Sequence, residues 1–586
     1  MAAAAVLVLF VAALGLAPHL KFSVDVGELA FFKSAFDEDT YFRFMLRDVF
    51  DPHRTLGHYA LRSLDALAGH SADLTLILAD LVFPSCAVVA AYFLASRVVA
   101  RWPARTVLAL GLIFGQDLLS LANLSIWPGG RLSLASFRRL FGPWGPITVP
   151  YPEVSYLTIF RTQEPQVTYA VVFVFLGLLV GLATAEGGPP SRRLVTVVGC
   201  LTVLLPFTYI VVSLPALGIA CWLAALLFVT GRPRLAIGLS AIVVVAILVF
   251  GVTCSMSRDQ VGVFPSRWPI VTPAILLIVL TIVPLTVALA RSHRERRSAW
   301  LGLGFLLVPV ALSNQQVLTG IMISARDWER NINYQFLLLG LVLALRPLIT
   351  SRGAGVTRVL QYVAVLAALS IAFEVARAQT VTFRFWLPQN LATVAMKRAV
   401  DAAGAALPST TRLLLDQPQL APHLGVRTGD RFTFVLDFTD IALHFVPSID
   451  PQGRVPHSPH EGDLFEHWWR TGTSPAEAER VLLAEAAQRG GYFLGFLFSI
   501  TDYWYPGTDN RRVRQAEIVR AIPEIIERYR VCERCRVSSG GDVAFLTSRE
   551  PSALRPPAGL GNRLLSTGRA GDVLVYLYRQ QRTEGS

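Results

Sequence analysis

The sequence predicts a polytopic α-helical membrane protein with a C-terminal α/β domain. Three observations predict it. Charged residues make up only 16% of the 586 and hydrophobic residues 53%, against about 25% charged in a soluble domain. Mean hydropathy is +0.49. Apolar runs long enough to cross a hydrocarbon core (about 20 residues for roughly 30 Å) recur from the N-terminus to residue 377 and then stop. A soluble enzyme of this length would need far more charge on its surface, and a disordered chain far less apolar content. The formal net charge is +12, from 53 Lys+Arg and 41 Asp+Glu. The basic residues form no tract, so nucleic acid is not indicated as a partner. Six cysteines in a chain this long do not make a disulfide scaffold.

Taken in order, spans are expected near 2–18, 76–96, 104–124, 167–185, 194–212, 214–230, 235–254, 269–290, 299–314, 335–350 and 358–377, about eleven in all. The stretch around Ser213, Leu214 and Pro215 reads either as a tight turn between two helices or as one broken helix. Orientation follows from Lys and Arg beside short loops. Arg97, Arg101 and Arg105, Arg192 and Arg193, Arg232 and Arg234, Arg291 to Arg297, and Arg346 to Arg358 all fall on one side of this count. That side is expected to be the cytoplasm. Residues 19–75, 125–166, 255–268 and 315–334 then face outward. The first span lacks the basic leading region of a signal peptide, with His19 and Lys21 following it; as anchor or as leader it leaves 19–75 outside.

The chain divides at about residue 380, giving a transmembrane module over 1–379 and an extracytoplasmic α/β domain over 380–586. In the second part charge rises, Pro and Gly recur, and no stretch is long enough to span. Phe432–Leu436, Val543–Leu546 and Val573–Tyr578 have the apolar, β-branched and aromatic content of strands. Ala476–Ala487 and Ala516–Tyr529 have helical spacing. No internal repeat of the transporter kind is apparent.

The most informative stretch is Ser34-Ala-Phe-Asp-Glu-Asp-Thr-Tyr-Phe-Arg-Phe, which places Asp37, Glu38 and Asp39 just outside the first helix. Three adjacent carboxylates suit a divalent cation or a general base. The plainer reading makes Asp37 the N-cap of a helix and its neighbours partners of the helix dipole. Tyr41, Phe44, Met45 and Val49 have the spacing of an interfacial helix over Thr40–Phe50. Within the spans, Asp80, Gln116 and Asp117 are costly polar groups that serve either a transport function or helix–helix bonding. Arg161, Arg258, Arg267, Arg326 and Arg330 lie beside spans on the outward side, against the usual bias. His457, His460, Glu461, Asp463, Glu466 and His467 are metal-ligand types in an irregular loop without zinc spacing. Cys532 and Cys535 fit a local disulfide on an oxidising face better than redox catalysis, and Cys86, Cys200 and Cys221 fit small apolar packing inside spans. There is no nucleotide-binding Gly loop, GxSxG elbow or His-Glu-x-x-His.

An acidic triplet in the first large outward loop, followed by an amphipathic helix, many spans and an outward C-terminal domain, resembles the bacterial membrane glycosyltransferases of the GT-C fold. Phe160-Arg-Thr-Gln-Glu-Pro-Gln and Ser313-Asn-Gln-Gln-Val-Leu-Thr-Gly resemble stretches of the same superfamily. The resemblance implies inverting transfer of a sugar from a polyprenyl-phosphate carrier to an extracytoplasmic glycan, lipid or protein acceptor, in the bacterial cytoplasmic membrane. It implies Asp37, Glu38 and Asp39 as the catalytic set, with Asp37 or Asp39 either the base or a ligand for Mg²⁺ or Mn²⁺. Arg161, Arg326 and Arg330 would hold the donor phosphate; the competing reading pairs these arginines with Asp327, Glu329 and Glu164, or with phospholipid headgroups. The loop after Thr319-Gly320 departs from the pattern, offering Arg326, Asp327 and Arg330 where relatives often carry a histidine. A transporter or lipid-handling protein, using Asp80 or Asp117, is the rival reading.

Overall fold

A computed structural model describes residues 2–34, 38–47, 52–119, 157–162, 164–184, 191–256, 263–265, 275, 278–282, 296–319, 321–323, 329–350, 354–437, 461–487, 493–494, 497, 515–532, 543–550, 553–554 and 560–582. Its helices are α1 (Ala2–Val26), α2 (Glu38–Leu46), α3 (Thr55–Leu67), α4 (Ala72–Val98), α5 (Trp102–Leu119), α6 (Gln166–Thr184), α7 (Arg192–Leu204), α8 (Ile210–Val229), α9 (Pro233–Met256), α10 (Arg296–Ser313), α11 (Tyr334–Thr350) and α12 (Ala354–Ala403). Beyond them come α13 (Ala421–Arg427), α14 (Glu461–Arg470), α15 (Pro475–Ala487) and α16 (Gln515–Val531). Local signals start two of the helices: Ser71 caps α4 by accepting from the Leu74 amide, and Ser191 caps α7 by accepting from Leu194.

Six helices among the described residues are long and apolar enough to cross a membrane: Ala2–Val26, Ala72–Val98, Gln166–Thr184, Ile210–Val229, Pro233–Thr253 and Arg358–Ala406. This is fewer than the expected eleven. The expected span at 104–124 is α5, whose end carries the polar Gln116 and Asp117. The one at 194–212 is the short α7 closed by a 3-10 turn at Leu205–Phe207. Arg297–Ser313 and Asn331–Ala344 are apolar but shorter, and the expected span at 269–290 falls largely outside the described residues. The sequence around Pro215 does not break: α8 runs through it, and the turn lies earlier, at Leu205–Tyr209.

The bundle core is built on α6, where Val172, Phe173, Phe175, Leu176, Leu179 and Val180 are all buried, together with the inner faces of α4, α5 and α8. α1 lies close against α4 because Gly15 has no side chain; a Cβ there would stand 2.5 Å from the Asp80 carbonyl oxygen. Few side chains in the first half of α12 are buried, so that half lies at the bundle's periphery.

The division expected at residue 380 falls inside α12, which continues unbroken as a 50-residue helix. Strand β1 (Val263–Pro265) pairs antiparallel with β2 (Ile321–Ile323), and the last turns of α12 support a four-stranded sheet ordered β3-β4-β6-β5, with β3 Arg412–Leu415, β4 Val543–Thr547, β5 Leu560–Ala570 and β6 Val573–Arg582. β3 and β4 are parallel, and β4, β6 and β5 are successively antiparallel. Gly568 lets β5 approach the helix so closely that a Cβ would collide with the Ala395 carbonyl. The strands expected at Val543 and Val573 form, as do helices over the expected 476–487 and 516–529. Phe432–Leu436 contributes only an isolated parallel bridge, Leu413 to Phe434.

Candidate functional site

The acidic stretch becomes the start of α2. Asp37 lies outside the described residues, and of Glu38 only the backbone is described. Asp39 is buried, with 1% exposure, and its Oδ2 accepts from the Lys33 ammonium at 2.5 Å. Its Oδ1 accepts the Thr40 amide at 3.0 Å. Lys33 is itself fixed by α12: its amide donates to Asn390 Oδ1 at 2.8 Å, and Asn390 Nδ2 donates back to the Lys33 carbonyl at 3.0 Å. The ammonium also lies 5.6 Å from the centroid of the Trp386 ring. A buried carboxylate held this way has its charge compensated by one partner, which is what burial of an ion demands. α2 ends at Leu46, and Val49 and Phe50 of the expected Thr40–Phe50 lie outside the described residues. Tyr41, Phe44 and Met45 are buried in protein, together with Phe42, rather than presented to an interface.

What covers α2 is α13 and the segment after it. Arg43, with no exposed surface, donates from Nε to Asp430 at 2.7 Å and from Nη1 to Asp437 at 2.8 Å. Arg47 reaches the same two carboxylates, at 2.5 and 3.2 Å. Gly425 makes room, since a Cβ there would stand 2.6 Å from Arg43 Nε. Arg427 ties the same segment to the bundle, donating to Asp73 at 3.0 Å and to the Phe31 carbonyl at 2.5 Å. Arg427 Nε also donates to His423 Nε2 at 3.1 Å, which leaves the histidine proton on Nδ1, facing Thr393. Burial, with Arg427 and Lys33 nearby, holds the His423 pKa well below its ordinary value.

Beneath α2 lies a polar cluster at the ends of several helices. Arg161 is buried; its Nη2 donates to the Tyr41 hydroxyl at 2.8 Å, and its guanidinium lies 5.4 Å from that ring's centroid. Arg54 stacks 4.3 Å from the same ring and 5.7 Å from Tyr209. The Tyr209 amide donates to Thr168 Oγ1 at 3.0 Å, and Thr168 Oγ1 donates to Glu164 Oε2 at 2.6 Å. Glu164 is 1% exposed and its Oε1 has no hydrogen-bond partner. Burial raises its pKa to about 7, although Thr168, Arg54 and Arg161 all act to lower it. Tyr169, one residue on, donates to the Asn331 carbonyl at 2.6 Å and accepts from Gln335 at 3.4 Å.

No family model matches the chain, and no curated protein matches it. The chemistry of the site therefore rests on its own residues.

Asp39 and Arg161 are thus brought to one region, through Tyr41, two positions beyond Asp39. Arg326 falls outside the described residues, and Arg330 is described only as backbone, in the π-helical turn Glu329–Asn333. Arg54, Lys33 and Asn390 were missed by sequence reasoning. Glu164 appeared there only as an ion-pair partner, although it stands in the singled-out stretch Phe160-Arg-Thr-Gln-Glu-Pro-Gln. Its position beside Arg54 and Arg161 required the fold. In the other such stretch, Ser313 Oγ accepts from Asn333 Nδ2 at 3.2 Å, joining α10 to the π-turn.

The intramembrane carboxylates are hydrogen-bonded. Asp80 accepts from Thr162 at 2.9 Å and pairs with His19 Nε2 at 3.1 Å. His19 Nδ1 accepts the Phe32 amide, so its proton is on Nε2, facing Asp80. Asp117 accepts from the Thr158 amide and hydroxyl at 2.9 and 2.6 Å. Both hold the 157–166 segment in place beneath α2. In the distal domain, no group of three metal-ligating side chains comes together among the described residues. Glu461 is bidentate to Arg528, Glu466 is shared by Arg412 and Arg470, and His467 donates to the Leu415 carbonyl. His457 and His460 lie outside the described residues. Burial pushes His467 down to about 4. Cys532 is disulfide-bonded, with Cys535 outside the described residues, while Cys86, Cys200 and Cys221 are free thiols.

Proposed function

We propose that this protein is an integral membrane glycosyltransferase that moves a sugar, with inversion, from a polyprenyl-phosphate donor to an extracytoplasmic acceptor. The observation that carries the reading is that two cations, the buried Arg161 and the half-buried Arg54, both lie on the ring of Tyr41 in the acidic helix. A lipid-phosphate donor needs cations at a helix-end boundary, where the tail stays in the membrane and the headgroup meets fixed donors. In the proposed reaction a carboxylate of the Asp37–Asp39 set takes the proton of an acceptor hydroxyl. The acceptor oxygen bonds to the anomeric carbon as the carbon–oxygen bond to phosphate breaks on the opposite face. The phosphate leaves with the bonding pair, toward Arg161 and, in the same proposal, Arg326 and Arg330.

As placed, Asp39 favours Asp37 as the base, because the Lys33 ammonium already occupies Asp39 Oδ2. Asp37 and Asp39 would hold a Mg²⁺ or Mn²⁺ ion in this proposal, and such an ion would have to displace the Lys33 ammonium from Asp39 Oδ2. The rival transporter reading would draw on Asp80 and Asp117; their full engagement by His19, Thr162 and Thr158 favours a structural part for them.

The deciding experiment offers the purified protein in detergent a panel of polyprenyl-phosphate sugars with lipid and cell-wall acceptors, and follows donor loss by mass spectrometry. One donor is expected to be consumed, with Asp37→Asn slowing this about 100-fold or more, the usual size of a general-base contribution. Asp39→Asn is expected to cost less. Survival of every donor, or unchanged turnover in both variants, overturns the proposal.

A further inference from the structure

We infer that Arg54, Arg161 and Glu164 form one phosphodiester-binding site, in which Glu164 binds the anion as a neutral acid through Oε1. The inference rests on the transferase reading for its ligand class and adds to it Glu164 and the protonation state in which that residue acts. Two guanidinium groups lie on the Tyr41 ring, 4.3 and 5.4 Å from its centroid, so the aromatic ring sets their spacing. Both act on the buried carboxyl group of Glu164, which Thr168 of α6 holds through Oε2 and whose Oε1 has no hydrogen-bond partner.

The hydrogen-bond chain decides where a proton would go. The Tyr209 amide can only donate, so Thr168 Oγ1 accepts from it and turns its own hydrogen to Glu164 Oε2. Oε2 is thereby an acceptor, and a proton on Glu164 belongs on Oε1. An ionised Glu164 repels a bound anion and competes for the two guanidinium groups, whereas the neutral acid offers the anion one more donor. Among the described residues, the charged groups that act on Glu164 are Arg54 and Arg161; Tyr41 and Tyr209 pack on those guanidinium groups, and on Glu164's own segment Thr162 and Gln166 donate to Asp80, which is paired with His19. His53 packs against Phe250, ring centroids 5.3 Å apart, on the side toward α9. Burial places the Glu164 titration at about 7; occupancy therefore falls as pH rises through neutrality.

The test measures binding of farnesyl methyl phosphate, a phosphodiester whose single charge is constant between pH 6 and 8, to the full-length protein in nanodiscs. Farnesol and dimethyl phosphate are the comparison ligands. Wild type is expected to bind the lipid diester roughly tenfold tighter at pH 6 than at pH 8, the change in protonated fraction of a group titrating near 7. Glu164→Gln, which keeps the acceptor for Thr168, should bind equally at both pH values. Arg54→Gln and Arg161→Gln should each weaken binding tenfold or more, and the Lys variants less, since lysine keeps the charge but loses the fork. Dimethyl phosphate competing as well as the lipid diester would assign the same site to a soluble phosphodiester. Farnesol binding as tightly as the diester, or a pH dependence that survives Glu164→Gln, overturns the inference. Because binding is read without turnover, phosphate-dependent binding without sugar transfer removes only the transferase reading. Transfer without such binding removes only this site.

Discussion

Glu164 lowers the stability of the folded chain at neutral pH. Its pKa rises from 4.5 to about 7 on burial, so the native state holds the proton more tightly than the unfolded chain does. The stabilising contribution of that proton is fully present below about pH 4.5 and is lost as pH rises through about 7. Glu164→Gln removes the titration while keeping the shape and the hydrogen bond to Thr168. The variant should therefore melt higher than wild type at pH 8, by a margin worth about 3 kcal/mol for a shift of this size. The margin should shrink toward zero near pH 4.5. Melting curves in detergent across this range check it, and a gain independent of pH would point to packing instead. At this scale the sequence is only partly legible. Asp39 and Arg161 stand out because carboxylates in a row and outward arginines are local signals. Lys33, Arg54 and Asn390 do not, because a lysine beside an acidic run or an asparagine in a long helix is unremarkable until the fold brings them together.

Among the elements, α2 shows why a helix can be visible while its surroundings are not. Tyr41, Phe44 and Met45 announce a helix with an apolar face, and one forms. That the face is buried in protein rather than lipid depends on Asp430 and Asp437, and Asp430 lies 387 positions from Arg43. No periodicity encodes a contact at that separation. The approach is permitted at Gly425, where a methyl group would stand 2.6 Å from Arg43 Nε. Arg43 has no exposed surface and two carboxylate partners, so it cannot move aside cheaply. Gly425→Ala should cost about 2–4 kcal/mol, between the usual penalties for overpacking and for disrupting a buried ion pair. It should also expose Arg427 and Arg431 to trypsin. Combining it with Arg43→Lys, a slimmer cation, should recover part of the loss. Additive losses in the double variant would show that the two residues do not share this contact.

For the molecule as a whole, the polytopic class follows from composition alone, but the number of spans does not. A hydropathy count treats α5, α7, α10 and α11 as equal to the long helices, although they are shorter, and α5 ends on the polar Gln116 and Asp117. The direction of each helix is still readable from contacts. Asp73 at the start of α4 meets Arg427, and Thr168 near the start of α6 meets Tyr209, which precedes α8. Asn331 ahead of α11 meets Tyr169, and Asn390 late in α12 meets Lys33. All these points share the end that bears the candidate site. Arg97 late in α4, Arg192 and Arg193 at the start of α7, and Arg232 and Arg234 between α8 and α9 consequently lie at the opposite end, which the positive-inside bias predicts to be the cytoplasmic one. Cysteine scanning tests this. Ala66→Cys on α3 and Ala476→Cys on α15 replace exposed residues on the site side, and Ala100→Cys replaces an exposed residue in the arginine-bearing turn. In intact spheroplasts, an impermeant maleimide should label the first two above the unsubstituted chain, and the third only after permeabilisation. The opposite pattern inverts the protein and places the site where an extracytoplasmic acceptor cannot reach it. Labelling of Ala66→Cys and Ala476→Cys from different sides would be incompatible with the ion pairs that join α2 to the segment beyond α13.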